Sequence, residues 1–131
     1  MKTILVDAVN CFIIEENSEF VIFQDMHKLL ETYPNKKIIL TGANDDKWEF
    51  YGLHNMPYEV FTSKHNPEKI NQEYYNIMLK NFNLNPKDVI YFEHNSDAVK
   101  SAQSVGINTY YYDNDVKDLV SLKNFLDENP H

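Results

Sequence analysis

One cysteine, three glycines and no long apolar run set the first limits on this chain. A lone Cys11 cannot close an internal disulfide and suits a reducing compartment, so the cytoplasm is the expected location. None of Gly42, Gly52 and Gly106 follows the first strand-like segment, which removes the glycine-rich turn that a dinucleotide-binding fold requires there. Apolar stretches such as Ile38-Ile39-Leu40 fall far short of the ~20 residues that span a bilayer, and Met1-Lys2 leads straight into a strand-like segment. Neither a membrane span nor a signal peptide is expected. Basic runs are missing too: lysines stand singly or in pairs in a chain of net charge −8, which argues against general nucleic-acid binding. A local pocket in an acidic protein still accepts phosphate. Repeats and low-complexity linkers are absent, and 131 residues with 43% hydrophobic content suit one domain over 1–131.

What is present alternates between strand and helix patterns. Thr3-Ile4-Leu5-Val6 reads as a buried strand delivering Asp7 at its carboxyl end. Two apolar pieces, 11–14 and 20–22, flank the polar stretch 15–19 and predict a small hairpin or flap. Phe23, Met26, Leu30 and Tyr33 recur at helical spacing before the strand Lys37–Thr41. A short aromatic-rich helix is expected over 46–53, then a strand at 58–61. Asn66 and Pro67 resemble a cap and first turn for a helix whose apolar stripe is Ile70, Tyr74, Ile77 and Met78. Val89–Phe92 forms a strand ending at Glu93, a helix follows over about 96–105, and 107–112 is the last strand. Val116, Leu119, Val120 and Phe125 mark a final helix. Such alternation argues for a parallel sheet covered on both faces, whose ligands bind beyond the carboxyl ends of the strands.

Asp7, Thr41, Lys64 and Glu93 therefore gather, in chain order, at the predicted binding edge. This order resembles the haloacid dehalogenase-like (HAD) superfamily. Ile4-Leu5-Val6-Asp7-Ala8-Val9 is similar to its first motif, Ile38–Gly42 to its second, Lys64-His65-Asn66-Pro67 to its third, and the stretch from Val89 to Gly106 to its fourth. The resemblance spans most of the chain. It implies a three-layer Rossmann-like α/β fold, a parallel sheet of about five strands in the order 3-2-1-4-5, and a small flap after the first strand. It implies Asp7 as nucleophile, with Thr41 and Lys64 steadying a phosphoryl group. It further implies Mg²⁺ held by Asp7, the Val9 backbone carbonyl and Glu93 or Asp97.

Two departures stand out. Val9 occupies the place of the usual acid/base aspartate, a function worth roughly 10²–10⁴-fold in rate. Glu93-His94 stands where paired acidic residues are usual. Segments 12–37 and 42–63 leave no room for a cap domain, so the edge should be open to a phosphorylated or macromolecular substrate, or to a protein partner. Nothing in the sequence specifies a homo-oligomer. Two functions follow: a HAD-like hydrolase with impaired or altered phosphoryl transfer, or a catalytically inactive binding or regulatory module. A receiver domain ranks behind both, because its phosphoacceptor belongs on a middle strand.

Single residues also have plainer readings. Asp7 can cap a loop, Thr41 can bond at a strand end, and Lys64 can be a solvated lysine. By the same token His94, which offers a transition-metal ligand beside Glu93 and Asp97, reads more often as a polar loop residue, Cys11 as buried packing rather than a nucleophile, and the aromatics Trp48, Phe50, Tyr51 and Tyr110-Tyr111-Tyr112 as core more often than an exposed partner surface.

Overall fold

The sheet is built from the strands with the most continuous apolar character. In the computed structural model, which describes residues 1–129, β1 (Thr3–Asp7), β4 (Lys37–Thr41) and β6 (Val89–Glu93) are buried along their whole length. These are the runs that can lie between two layers of helix. With β5 (Glu59–Thr62) and β7 (Asn108–Tyr111) they form a parallel sheet in the order β5-β4-β1-β6-β7. Counted without the flap, this is the expected 3-2-1-4-5 order, and β1 lies at its centre. The flap is an antiparallel hairpin of β2 (Ile13–Glu16) and β3 (Glu19–Ile22).

Alternation along each strand splits the core in two. Ile4, Val6, Ile39, Ile90 and Phe92 face one side, packed with Met26 and Leu30 of α1 (Gln24–Glu31) and Leu122 and Leu126 of α5 (Leu119–Glu128). Leu5, Ile38, Leu40 and Tyr91 face the other, against Tyr74, Tyr75 and Met78 of α3 (Gln72–Asn81) and Ala102 of α4 (Ser96–Ser104). The connection from β4 to β5 holds only α2 (Asp45–Trp48) and a single 3₁₀ turn at Leu53–Asn55, shorter than the helix expected over 46–53. None of the helices among the described residues is long and apolar enough to cross a membrane.

Two helices differ from expectation. Asn66 and Pro67 do not open α3. That helix begins at Gln72, where the Asn71 side chain accepts from the Glu73 backbone N–H at 2.9 Å. Residues 63–70 form a loop in which Lys64 and His65 take left-handed backbone angles incompatible with a helix. The buried stripe is Tyr74, Tyr75, Met78 and Leu79, whereas Ile70 and Ile77 are exposed. Asn71→Ala should cost about 1 kcal/mol in urea denaturation by removing that cap. The last helix begins at Leu119, so Val116 lies before it in an exposed turn, and within α5 Val120 faces solvent while Leu122 and Leu126 carry the packing. A β-branched apolar residue at helical spacing looks the same in sequence on either face.

Candidate functional site

The pleat of β1 and β6 places two carboxylates side by side. Asp7 shares the face of Leu5 and Glu93 that of Tyr91, one residue beyond the Val6–Phe92 pairing. Both are buried at the carboxyl edge of the sheet. Two like charges so close and so desolvated need counter-charges, and two cations supply them. Lys69 Nζ lies 2.6 Å from Asp7 Oδ1 and 2.6 Å from Glu93 Oε1. His94 Nδ1 donates to Asp7 Oδ2 and lies 3.2 Å from Glu93 Oε2.

The remaining bonds complete the cage. The His94 backbone N–H donates to Asp7 Oδ2 at 3.2 Å, as does the Cys11 thiol at 3.2 Å. Tyr91 OH donates to Glu93 Oε1, and the Asn95 N–H donates to Glu93 Oε2 at 3.0 Å. Asn95 in turn caps α4, its side chain accepting from the N–H groups of Asp97 and Ala98.

Proton affinities follow this arrangement. Burial opposes charge on Lys69, but Asp7 and Glu93 outweigh it and raise the ammonium well above its ordinary value. Burial likewise opposes the His94 imidazolium, yet its bonds to Asp7 and Glu93 prevail and push it up to about 10. Glu93 is held well below the usual carboxylate range: burial works against this, and Lys69 and His94 overcome it. Asp7 is raised by burial and by the charge of Glu93, with Lys69 and His94 pulling the other way. Burial, then the charges of Asp7 and Glu93, push the Cys11 thiol up.

Asp7 opens onto a cleft of about 290 Å³ lined by Ala8, Val9, Thr41, Gly42, Lys47, Tyr51, His65, Lys69 and His94 among others. Thr41 is at the cleft, its hydroxyl oxygen accepting from the Ala43 N–H at 3.1 Å, which shapes the loop after β4. Gly42 lets that loop pass His65, since an added Cβ would sit 3.2 Å from the ring. Val9 lines the cleft and carries no acid or base.

Lys64 is placed elsewhere. It lines a separate groove of about 400 Å³ with Asp45, Asp46, Trp48, Glu49 and Thr62, and its ammonium pairs with exposed Asp45 at 3.2 Å. Lys69, not Lys64, reaches Asp7, because the loop carries the chain five residues further before α3 begins. Asp97 is exposed in the first turn of α4 and lines neither the Asp7 cleft nor the cavity beside Glu93. His94, partly buried, pairs with both carboxylates. Among the aromatics, Phe50 and Tyr111 are exposed while Tyr112 is buried.

Mg²⁺ takes a near-octahedral shell of hard oxygens. The groups converging on Asp7 Oδ2 are instead a ring nitrogen and a thiol, and Lys69 holds the space between Asp7 and Glu93. This donor set does not fit Mg²⁺.

No model of a known protein family matches the sequence, and no curated protein sequence does. Solved structures do resemble the fold. A HAD family enzyme from Bacteroides thetaiotaomicron, in complex with magnesium and inorganic phosphate, is 15% identical, with 85% of this chain and 93% of that chain covered at a TM-score of 0.66. A HAD-superfamily hydrolase from Ehrlichia chaffeensis is 20% identical over 90% of this chain and 62% of that one, with a TM-score of 0.66. An uncharacterized protein from Corynebacterium glutamicum is 17% identical, covering 95% and 96%, with a TM-score of 0.67. At such identities the likeness is one of fold.

Proposed function

We propose that this chain, whose fold is the HAD-like fold, retains the phosphatase-type frame as a binding module rather than as a Mg²⁺-dependent catalyst. The observation that carries the reading is the quartet of buried Asp7 and Glu93 with partly buried Lys69 and His94. An aspartate whose two oxygens both accept from cations has little freedom to attack phosphorus. With Val9 beside it, no side chain at that position protonates a leaving group or activates water.

Lys47, His65, Lys69 and His94 at the cleft provide donors for an anionic group. The intervals on either side of β4 hold only a hairpin, α1 and short helical turns, which supports an open, capless edge suited to a phosphorylated or macromolecular partner, including a protein. The chain's net charge of −8 argues against nucleic acid as that partner. A lone buried cysteine suits the cytoplasm. The hydrolase reading draws on one feature: Asp7 and Thr41 both border the cleft, as a nucleophile and phosphate-holding hydroxyl would.

A phosphatase assay on p-nitrophenyl phosphate decides between them. Wild type should hydrolyse at background rate with or without Mg²⁺, unchanged by Asp7→Asn. Val9→Asp combined with His94→Asp should raise the Mg²⁺-dependent rate by roughly 10²–10⁴-fold, the worth of a placed acid/base. Wild-type turnover that needs Mg²⁺ and disappears in Asp7→Asn would establish the hydrolase instead.

A further inference from the structure

Asp7 Oδ2 is unusual in what converges on it. Three donors of different chemistry meet at this one oxygen: the Cys11 thiol at 3.2 Å, the His94 backbone N–H at 3.2 Å and the His94 ring at Nδ1. One oxygen, one nitrogen and one sulfur from Asp7, His94 and Cys11 all lie within 4.8 Å of one another. A tetrahedral ion with bonds of about 2.0–2.3 Å holds its ligand atoms roughly 3.3–3.8 Å apart, so side-chain adjustments of about an ångström bring the three atoms onto one ion.

We propose that Asp7, Cys11 and His94 form a three-ligand site for a thiophilic divalent transition-metal ion of the zinc class at the floor of the cleft. The ion takes the place of the two protons that the thiol and the imidazole now direct at Asp7 Oδ2, and each of those atoms becomes a ligand. Sulfur and imidazole nitrogen select a borderline-soft ion over Mg²⁺, which agrees with the poor fit of this donor set to a hard cation. Lys69 remains on Asp7 Oδ1 and Glu93, so Asp7 contributes only its Oδ2.

Second-sphere support is in place. Asn10 Nδ2 lies 3.4 Å from His94 Nε2, and with the amide turned by half a rotation its oxygen accepts from Nε2–H, holding the ring with Nδ1 toward the ion. The backbone brings Cys11 round to Asp7 through a tight turn in which the N–H groups of Cys11, Phe12 and Ile13 all donate to the Ala8 carbonyl. Cys11 is wholly buried behind Asp7, whereas His94 and Asp7 border the cleft. The fourth position of a tetrahedral ion therefore opens toward the cleft, the arrangement of a zinc that keeps one site for water or ligand.

The inference goes beyond the binding-module reading and fails separately from it, because its readout is spectroscopic and involves neither phosphate nor Mg²⁺. Titration of the purified chain with Co²⁺ should give one ion per chain, with tetrahedral visible bands and a thiolate-to-cobalt charge-transfer band. The chain has a single cysteine, so that band can arise only from Cys11. Zn²⁺ should displace the cobalt and bleach both features. Cys11→Ser should abolish the charge-transfer band. His94→Gln should weaken Co²⁺ binding by at least about 100-fold, the upper end of what losing an outer-sphere partner costs. Cobalt binding without a thiolate band, or no binding at all, overturns the proposal, as does affinity unchanged in His94→Gln. If Cys11→Ser does not fold, the wild-type band and the half-buried His94 variant still decide.

Discussion

Lys69→Met should be among the most damaging single substitutions in this protein, costing about 3–5 kcal/mol in urea denaturation at neutral pH. The side chain lost is, among the described residues, the only cation bridging Asp7 and Glu93 through their Oδ1 and Oε1 atoms, and both carboxylates are almost completely buried. Without it, two desolvated like charges face each other with only His94 between them. Each carboxylate would then bind a proton more readily in the folded chain than in the unfolded one. A group with a raised folded affinity loses its stabilising contribution as pH rises, so the penalty should be largest near neutrality and shrink toward pH ~4–5. Lys64→Ala is the contrasting control. Its pair with Asp45 is solvent-exposed on both sides, and the loss should stay below about 1 kcal/mol. Equal effects for the two lysines, or a Lys69→Met loss near zero, would remove the quartet as the organising feature of the site.

His94 should make the stability of the wild type depend on alkaline pH. Its imidazolium is pushed from 6.5 to about 10 by Asp7 and Glu93, against the opposing effect of burial. Because the folded affinity exceeds the unfolded one, the contribution is fully present below pH 6.5 and is lost as pH rises through about 10. At about 1.4 kcal/mol for each tenfold change in proton affinity, this amounts to roughly 3–5 kcal/mol. The stability difference between wild type and His94→Gln, measured by denaturant midpoints, should therefore narrow by that order across this window. NMR of the His94 ring offers an independent check: its resonances should stay fixed between about pH 6 and 8, where an ordinary histidine titrates. A ring titrating near 6.5 would show that His94 is not paired with the carboxylates.

The relation between β-strand ends and chemistry was legible because it depends on local pattern. Buried β-branched runs mark β1, β4 and β6, and the polar residue that ends each run must sit at the sheet's edge. Asp7, Thr41 and Glu93 follow from that alone. The strand order followed from the likeness to a known fold and from strand–helix alternation, and the flap from two short apolar pieces around the polar stretch 15–19. Which lysine reaches Asp7 was not legible. Lys64 and Lys69 both precede α3 in sequence, and the choice turns on the path of the loop over 63–70, which long-range packing decides.

The same limit applies to His94 and Cys11. In sequence the histidine follows a strand and the cysteine follows a turn, separated by 83 positions and with no spacing that connects them. They meet at Asp7 Oδ2 only because β6 lies beside β1 and the turn after β1 folds Cys11 back beneath its carboxylate. Val9 could be recognised from sequence as a missing acid or base, since that is a question of residue type at a fixed local position. The sequence by itself determined the architecture and the carboxylates at its edge, because burial and periodicity act over a few residues. Only the tertiary structure decided the cations that neutralise them, because charge pairing acts through space between side chains that the chain order keeps far apart.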